Sequence, residues 1–354
     1  MIIINILLFL IVLGVLIFIH ELGHFLVAKK LKVPVEEFAI GFPPRLFRRK
    51  IGETVYSLNL FFFGGYVKLR GELDANDPEG FLNKPSWIKI LVVLAGVFFN
   101  LILAYFLFSF GYLIGLPEYS ANSSKVSIIQ VVNNSVAEKA GLKMLDKLIY
   151  LKDQNNNVIY LKNAQEVRNI IENYRGQEII LGIERGKESF EIKLIPESNK
   201  NLPPLGVQLS HLELVKYSFP ANFYFGFIKI KDSLLAISEG LKDFFIKIFK
   251  GEKEVINQVV GPLGIFDIYN QFLALGFNYL LYFLAFISLN LAVLNILPIP
   301  ALDGGRFIFY FYEFITRKRV PASLDNLINI IGFLFLLLLT IVITIKDILV
   351  KLNR

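Results

Sequence analysis

The stretch His20-Glu21-Leu22-Gly23-His24 puts two imidazoles and a carboxylate within five residues. On a helix, side chains four positions apart share a face, so both rings can bind one metal ion. Glu21 lies one position on from the first ring, where it can hydrogen-bond a water at the metal instead of ligating. This is a metallohydrolase arrangement, in which a divalent ion acidifies a water and the carboxylate takes its proton. Two histidines packed for structure are the bland alternative. Against it, the chain owns only three histidines and spends two of them here.

The surroundings sharpen the choice. Residues 12–33, VLGVLIFIHELGHFLVAKKLKV, begin as an apolar helix. In hydrocarbon each ionisable side chain costs about 2.5–3.5 kcal/mol, and metal coordination gives a compensating reason to keep it. Cysteine is absent, so a zinc site must use histidine and carboxylate ligands, the set that catalytic zinc uses. A third protein ligand is needed. The remaining histidine, His211, is expected on the other side of the membrane. Asp303 is the better candidate: it sits just past Pro298 and Pro300 in SLNLAVLNILPIPALDGGRF, where the prolines end a helix and let the chain turn back.

The elements that must position these groups follow from composition. The 354 residues are 55% hydrophobic with 34 Phe, and the mean hydropathy is +0.56, too apolar for an ordinary water-soluble domain. Runs at 2–27, 88–116, 271–297 and 326–345 are long enough to cross a bilayer. The first Lys or Arg is Lys29, so no basic region precedes the first run and a cleaved signal peptide is not expected. The basic residues that follow put the N-terminus outside and residues 29–87 in the cytoplasm. Arg317-Lys318-Arg319, before the fourth run, agrees, and both termini are expected outside an inner (cytoplasmic) membrane. The ends carrying His24 and Asp303 then lie together, toward the cytoplasmic side. With no basic-aromatic nucleic-acid motif, the net charge of +7 is assigned to the anionic surface of the lipid bilayer and nucleic acid is excluded as a partner.

Four regions result: a membrane part at 1–117, a mixed α/β domain at 118–212, amphipathic interfacial helices at 213–270, and a second membrane part at 271–354. Within the α/β domain, β-branched runs flank a helix expected at 163–174. In the first part, residues 53–72 alternate around Gly64-Gly65, which suggests a hairpin with those glycines at its turn. The fold class is a multi-pass α-helical membrane protein of about four transmembrane helices, with a membrane-associated β-hairpin and an inserted α/β domain.

HExxH late in the first span, with NILPIPALDGG ending a later one, resembles the site-2 protease family of intramembrane zinc metalloproteases, closest to its RseP-type branch. The resemblance extends to GGYVKLRGE (64–72), LNKPSWIKILVVLAGVFFNLILA (82–104) and VVGPLGI (259–265). NNSVAEKAGLKMLDKLIYL (133–151) resembles a single PDZ domain, with Val136 and Leu145 where Pro and Gly are usual. The resemblance implies Zn2+ on His20, His24 and Asp303, with Glu21 as catalytic base. It places Asn295 near the substrate and makes 53–72, with Gly64, Gly65 and Tyr66, a re-entrant hairpin that binds a transmembrane protein substrate. The PDZ-like domain would take a peptide ligand. Asn100, matching a Gly-x-x-x-Asn pattern, is read as structural. Two other classes compete with the protease: a membrane PDZ scaffold with a vestigial metal site, and a zinc transporter, which would spread acidic and His residues along several spans.

Overall fold

A computed structural model describes residues 2–72, 76–119, 126–132, 134–186, 188–200, 202–252 and 259–352. The chain divides into two compact units, one of 1–109 with 223–267 and 283–353, the other of 110–222 with 268–282.

The first unit is mainly helical. Apart from His20, Glu21 and His24, helix α1 (Ile2–Lys30) is predominantly apolar on all sides, and it ends on Lys29 and Lys30, which complement the helix dipole. Helix α2 runs over Ser86–Ile114. Between them, β1 (Val35–Ile51) and β2 (Thr54–Leu69) form a long antiparallel hairpin. Its turn falls between Ile51 and Thr54, with Gly52 at φ +61°. Gly64 and Gly65 therefore lie within β2 and not at the turn, which corrects the expectation from sequence. The hairpin folds back on itself: Glu37–Ile40 pair with Val55–Leu58 on one side and with Gly65–Lys68 on the other. Among the described residues, Gly65–Leu69 pair on one side only.

Helix α5 (Ala221–Phe249) is one continuous helix of 29 residues. The third apolar run is shorter than its composition suggests, because Gly276 separates α6 (Pro262–Leu275) from α7 (Phe277–Ile296). After α7 the chain passes Pro298 and Pro300, reverses at Ala301 (φ +72°), and enters α8 (Asp303–Thr316). Helix α9 (Ala322–Leu352) follows. Its Asn329 accepts the Ala301 N–H at 3.1 Å and donates to Asp325 at 2.6 Å, holding the strained residue in place. Among the described residues, four helices, α1, α2, α7 and α9, are long and apolar enough to cross a membrane.

The second unit has its own aliphatic core. Strands β4 (Val126–Val131), β5 (Lys147–Lys152), β7 (Ile179–Arg185), β8 (Glu188–Leu194) and β9 (Val207–Ser210) form a sheet in the order β8-β7-β5-β4-β9, with β6 (Val158–Tyr160) paired to β5. Helices α3 (Val136–Lys139) and α4 (Ala164–Asn173) start on caps from Ser135 and Asn163. Leu145 takes φ +70°, a conformation that glycine adopts more readily than leucine. Strand β3 (Leu116–Tyr119) pairs with β10 (Leu212–Val215), so Leu212–Val215 close the sheet unit and do not start the helical segment expected from 213.

Candidate metal centre

His20 and His24 stand one turn apart on α1 with their Nε2 atoms 3.2 Å from each other. Asp303, the first residue of α8, brings its Oδ2 to 3.0 Å from His20 Nε2 and 3.4 Å from His24 Nε2. The turn through Pro298 and Pro300 that the sequence implied is what returns this carboxylate to α1.

The other ring nitrogens are held by α2. His24 Nδ1 donates to the Val92 carbonyl at 2.7 Å, leaving Nε2 with its lone pair outward. Asn100, fully buried, has its amide nitrogen 3.3 Å from His20 Nδ1 and its Oδ1 without a partner. A half-turn of the amide puts Oδ1 on the Nδ1–H and frees His20 Nε2 as well. Asn100 is therefore a partner of the ring, beyond the structural part read from sequence. Gly96, one turn earlier, allows the close approach: a Cβ there would lie 2.4 Å from His24 Nε2.

The donor set fits zinc. Two imidazole nitrogens and a carboxylate oxygen lie within 4.8 Å of one another, the N,N,O set of a catalytic site. Asp303 Oδ2 is buried with no hydrogen-bond partner, an atom that an ion would satisfy.

These groups open on a cavity of about 770 Å³, bordered also by Glu21, Asn295, Gly64, Gly65 and Tyr66. Asn295 Nδ2 lies 3.4 Å from His20 Nε2, pointing where the ring nitrogens point. Gly65 leaves room for the Glu21 side chain, since a Cβ there would come within 3.3 Å of Glu21 Cγ and 2.9 Å of the Ala39 carbonyl. Every candidate named from sequence thus meets in one place. His211 belongs to the sheet unit, where its Nε2 accepts the Ala164 N–H at 3.2 Å. Sequence reasoning did not single out Arg306 and Glu72, an ion pair that also borders the cavity. The signal was present in Arg306 standing three residues after Asp303.

A cavity built around paired imidazoles, a distant aspartate and an adjacent glutamate defines a metal-dependent hydrolase set among membrane helices. The comparisons with known proteins agree. The model of peptidase family M50 matches residues 8–339. A Clostridium perfringens protein provisionally named a zinc metalloprotease is 36% identical over 94% of this chain and 95% of its own length. The Bacillus subtilis regulator of sigma-W protease RasP is 28% identical over 96% of this chain and 97% of its own. A chloroplastic membrane metalloprotease of Arabidopsis thaliana is 28% identical over 95% of this chain and 77% of its own. The chain belongs to peptidase family M50, the site-2 proteases, and is a zinc metalloprotease of a membrane.

Proposed function

We propose that the chain is an endopeptidase that hydrolyses bonds in transmembrane segments of single-pass proteins or remnant signal peptides. His20, His24 and Asp303 hold the zinc, and Glu21 is the base. The observation that carries this reading is the convergence of three donor atoms within 4.8 Å in a cavity shared with Glu21 and a strand paired on one side.

A zinc ion held by His20, His24 and Asp303 would supply Lewis acidity to the scissile carbonyl and to the attacking water. Glu21 takes the proton of that water and returns it to the leaving amide nitrogen. The Asn295 amide donates to the carbonyl oxygen as negative charge develops there. Gly65 and Tyr66 begin the edge that is paired on one side only, and Gly64 precedes it. A transmembrane helix satisfies its backbone internally, and exposing an N–H or C=O to lipid costs several kcal/mol. The edge Gly65–Lys68 supplies replacement partners by strand addition, so an unwound segment reaches the site without orphaned groups.

The charge pattern supports a site toward the cytoplasmic side of the inner membrane, with both termini outside. The sheet unit, in its PDZ-like role, admits substrates whose outer part is short and binds an exposed peptide end. Glu21→Gln is the direct test. It is expected to lower kcat by about 10²–10⁴-fold with zinc content unchanged. Full activity in that variant would remove Glu21 from the mechanism.

A further inference from the structure

The Glu72 carboxylate joins two parts of the cavity that lie 234 residues apart in sequence. One oxygen accepts from the Arg306 guanidinium. The other accepts from the backbone N–H of Leu69, at 3.4 Å, where the unpaired edge of β2 ends. Arg306 stands three residues after Asp303 on α8, so the two side chains share a face of that helix. Leu69, Glu72, Asp303 and Arg306 all border the same cavity. Neither member of the pair has a part in the proton transfers described above. Helix α8 is also anchored further along the same face, where Glu313 pairs with Lys89 of α2.

We infer that Glu72 and Arg306 are positioning residues that fix the offset between the substrate-bearing edge and Asp303, and so select which peptide bond is cut. The inference rests on the reading that Gly65–Lys68, just before Leu69, take the substrate as an added strand. Along such a strand successive residues advance by about 3.3 Å and alternate in direction. A slip of one residue presents a different carbonyl, turned the other way. The docking edge and the metal-facing aspartate belong to separate segments, so their offset must be set by a contact between them. A charge-assisted bridge from the end of the edge to the helix of Asp303 is such a contact.

The test uses the full-length enzyme in bilayer nanodiscs with a synthetic single-span peptide, its products mapped by mass spectrometry. The wild type is expected to cut one principal bond. Arg306→Gln and Glu72→Gln should cut neighbouring bonds as well, with kcat/KM lower by roughly 100-fold and zinc retained. Arg306→Lys, which keeps a cation for Glu72, should restore the single cut. An unshifted cleavage site in both neutral variants would overturn the inference, as would loss of zinc in parallel with activity. The chain has no cysteine, so Val67→Cys gives a unique thiol on the edge. A disulfide from it to a peptide cysteine beside the scissile bond supports edge docking. Its absence would overturn the docking reading, and the inference with it. A disulfide with unshifted cuts would overturn the inference alone.

Discussion

In the sheet unit the apolar side chains are inside: Val126, Ile128, Leu148, Leu151, Ile179 and Leu181 are all fully buried. Its ion pairs, such as Lys193–Glu178 and Lys152–Glu191, sit at the surface, and the buried Asp146 is answered by Arg185 at 2.6 Å. The helical unit inverts this distribution. Ile330, Leu334, Leu338 and Ile341 of α9 are exposed, while His20, Lys89, Asn100 and Glu313 are buried. The difference follows from the solvent each unit is built for. In water, burying aliphatic surface yields about 25 cal/mol per Å², and polar groups are left outside. In lipid that gain disappears, and helices are located by close approach and by polar pairs. The same pairing that orders the helical unit therefore brings its candidate metal ligands together.

This contrast predicts where substitutions act. The largest stability effect is expected in the helical unit. Lys89→Met or Glu313→Gln alone leaves an uncompensated buried partner and should cost about 3–5 kcal/mol in detergent unfolding, whereas Lys89→Met with Glu313→Leu should be near neutral. Equal losses for the single and double changes would show that the pair is not what locates α8. In the sheet unit, Leu148→Ala should cost about 2–5 kcal/mol through its cavity while zinc content stays full, because aliphatic packing there is separate from the metal centre. Zinc loss in that variant would break the comparison. Asn100→Ala should have the smaller effect of lowering zinc affinity about 10–100-fold, with the thermal midpoint nearly unchanged, because it only releases the outer nitrogen of His20. A metal titration at fixed pH distinguishes this from a packing defect, which would move the midpoint first.

Much of the site was legible because its signals are local. HExxH needs only helical spacing, and Asp303 was found from two prolines and a charge count. The hairpin was half legible. Gly64 and Gly65 look like a turn, but their missing side chains serve close approach to the Phe42 ring and to Glu21, and Gly52 makes the turn instead. Strand β1 was hidden by Pro43, Pro44 and a run of arginines, none of which advertises a strand. The second-layer contacts were not legible at all. Asn100 meets His20 across 80 residues and Arg306 meets Glu72 across 234, distances over which periodicity carries no information. The division of the third apolar run at Gly276 escaped notice because composition does not change there.

The central claim is that α1 and the start of α8 share one ion. An anomalous difference map of the purified protein, recorded at the zinc absorption edge, tests it most directly. The account predicts one peak about 2.0–2.2 Å from His20 Nε2, His24 Nε2 and an Asp303 carboxylate oxygen. A zinc held by the two imidazoles with Asp303 turned away, or a principal peak elsewhere in the molecule, would contradict it.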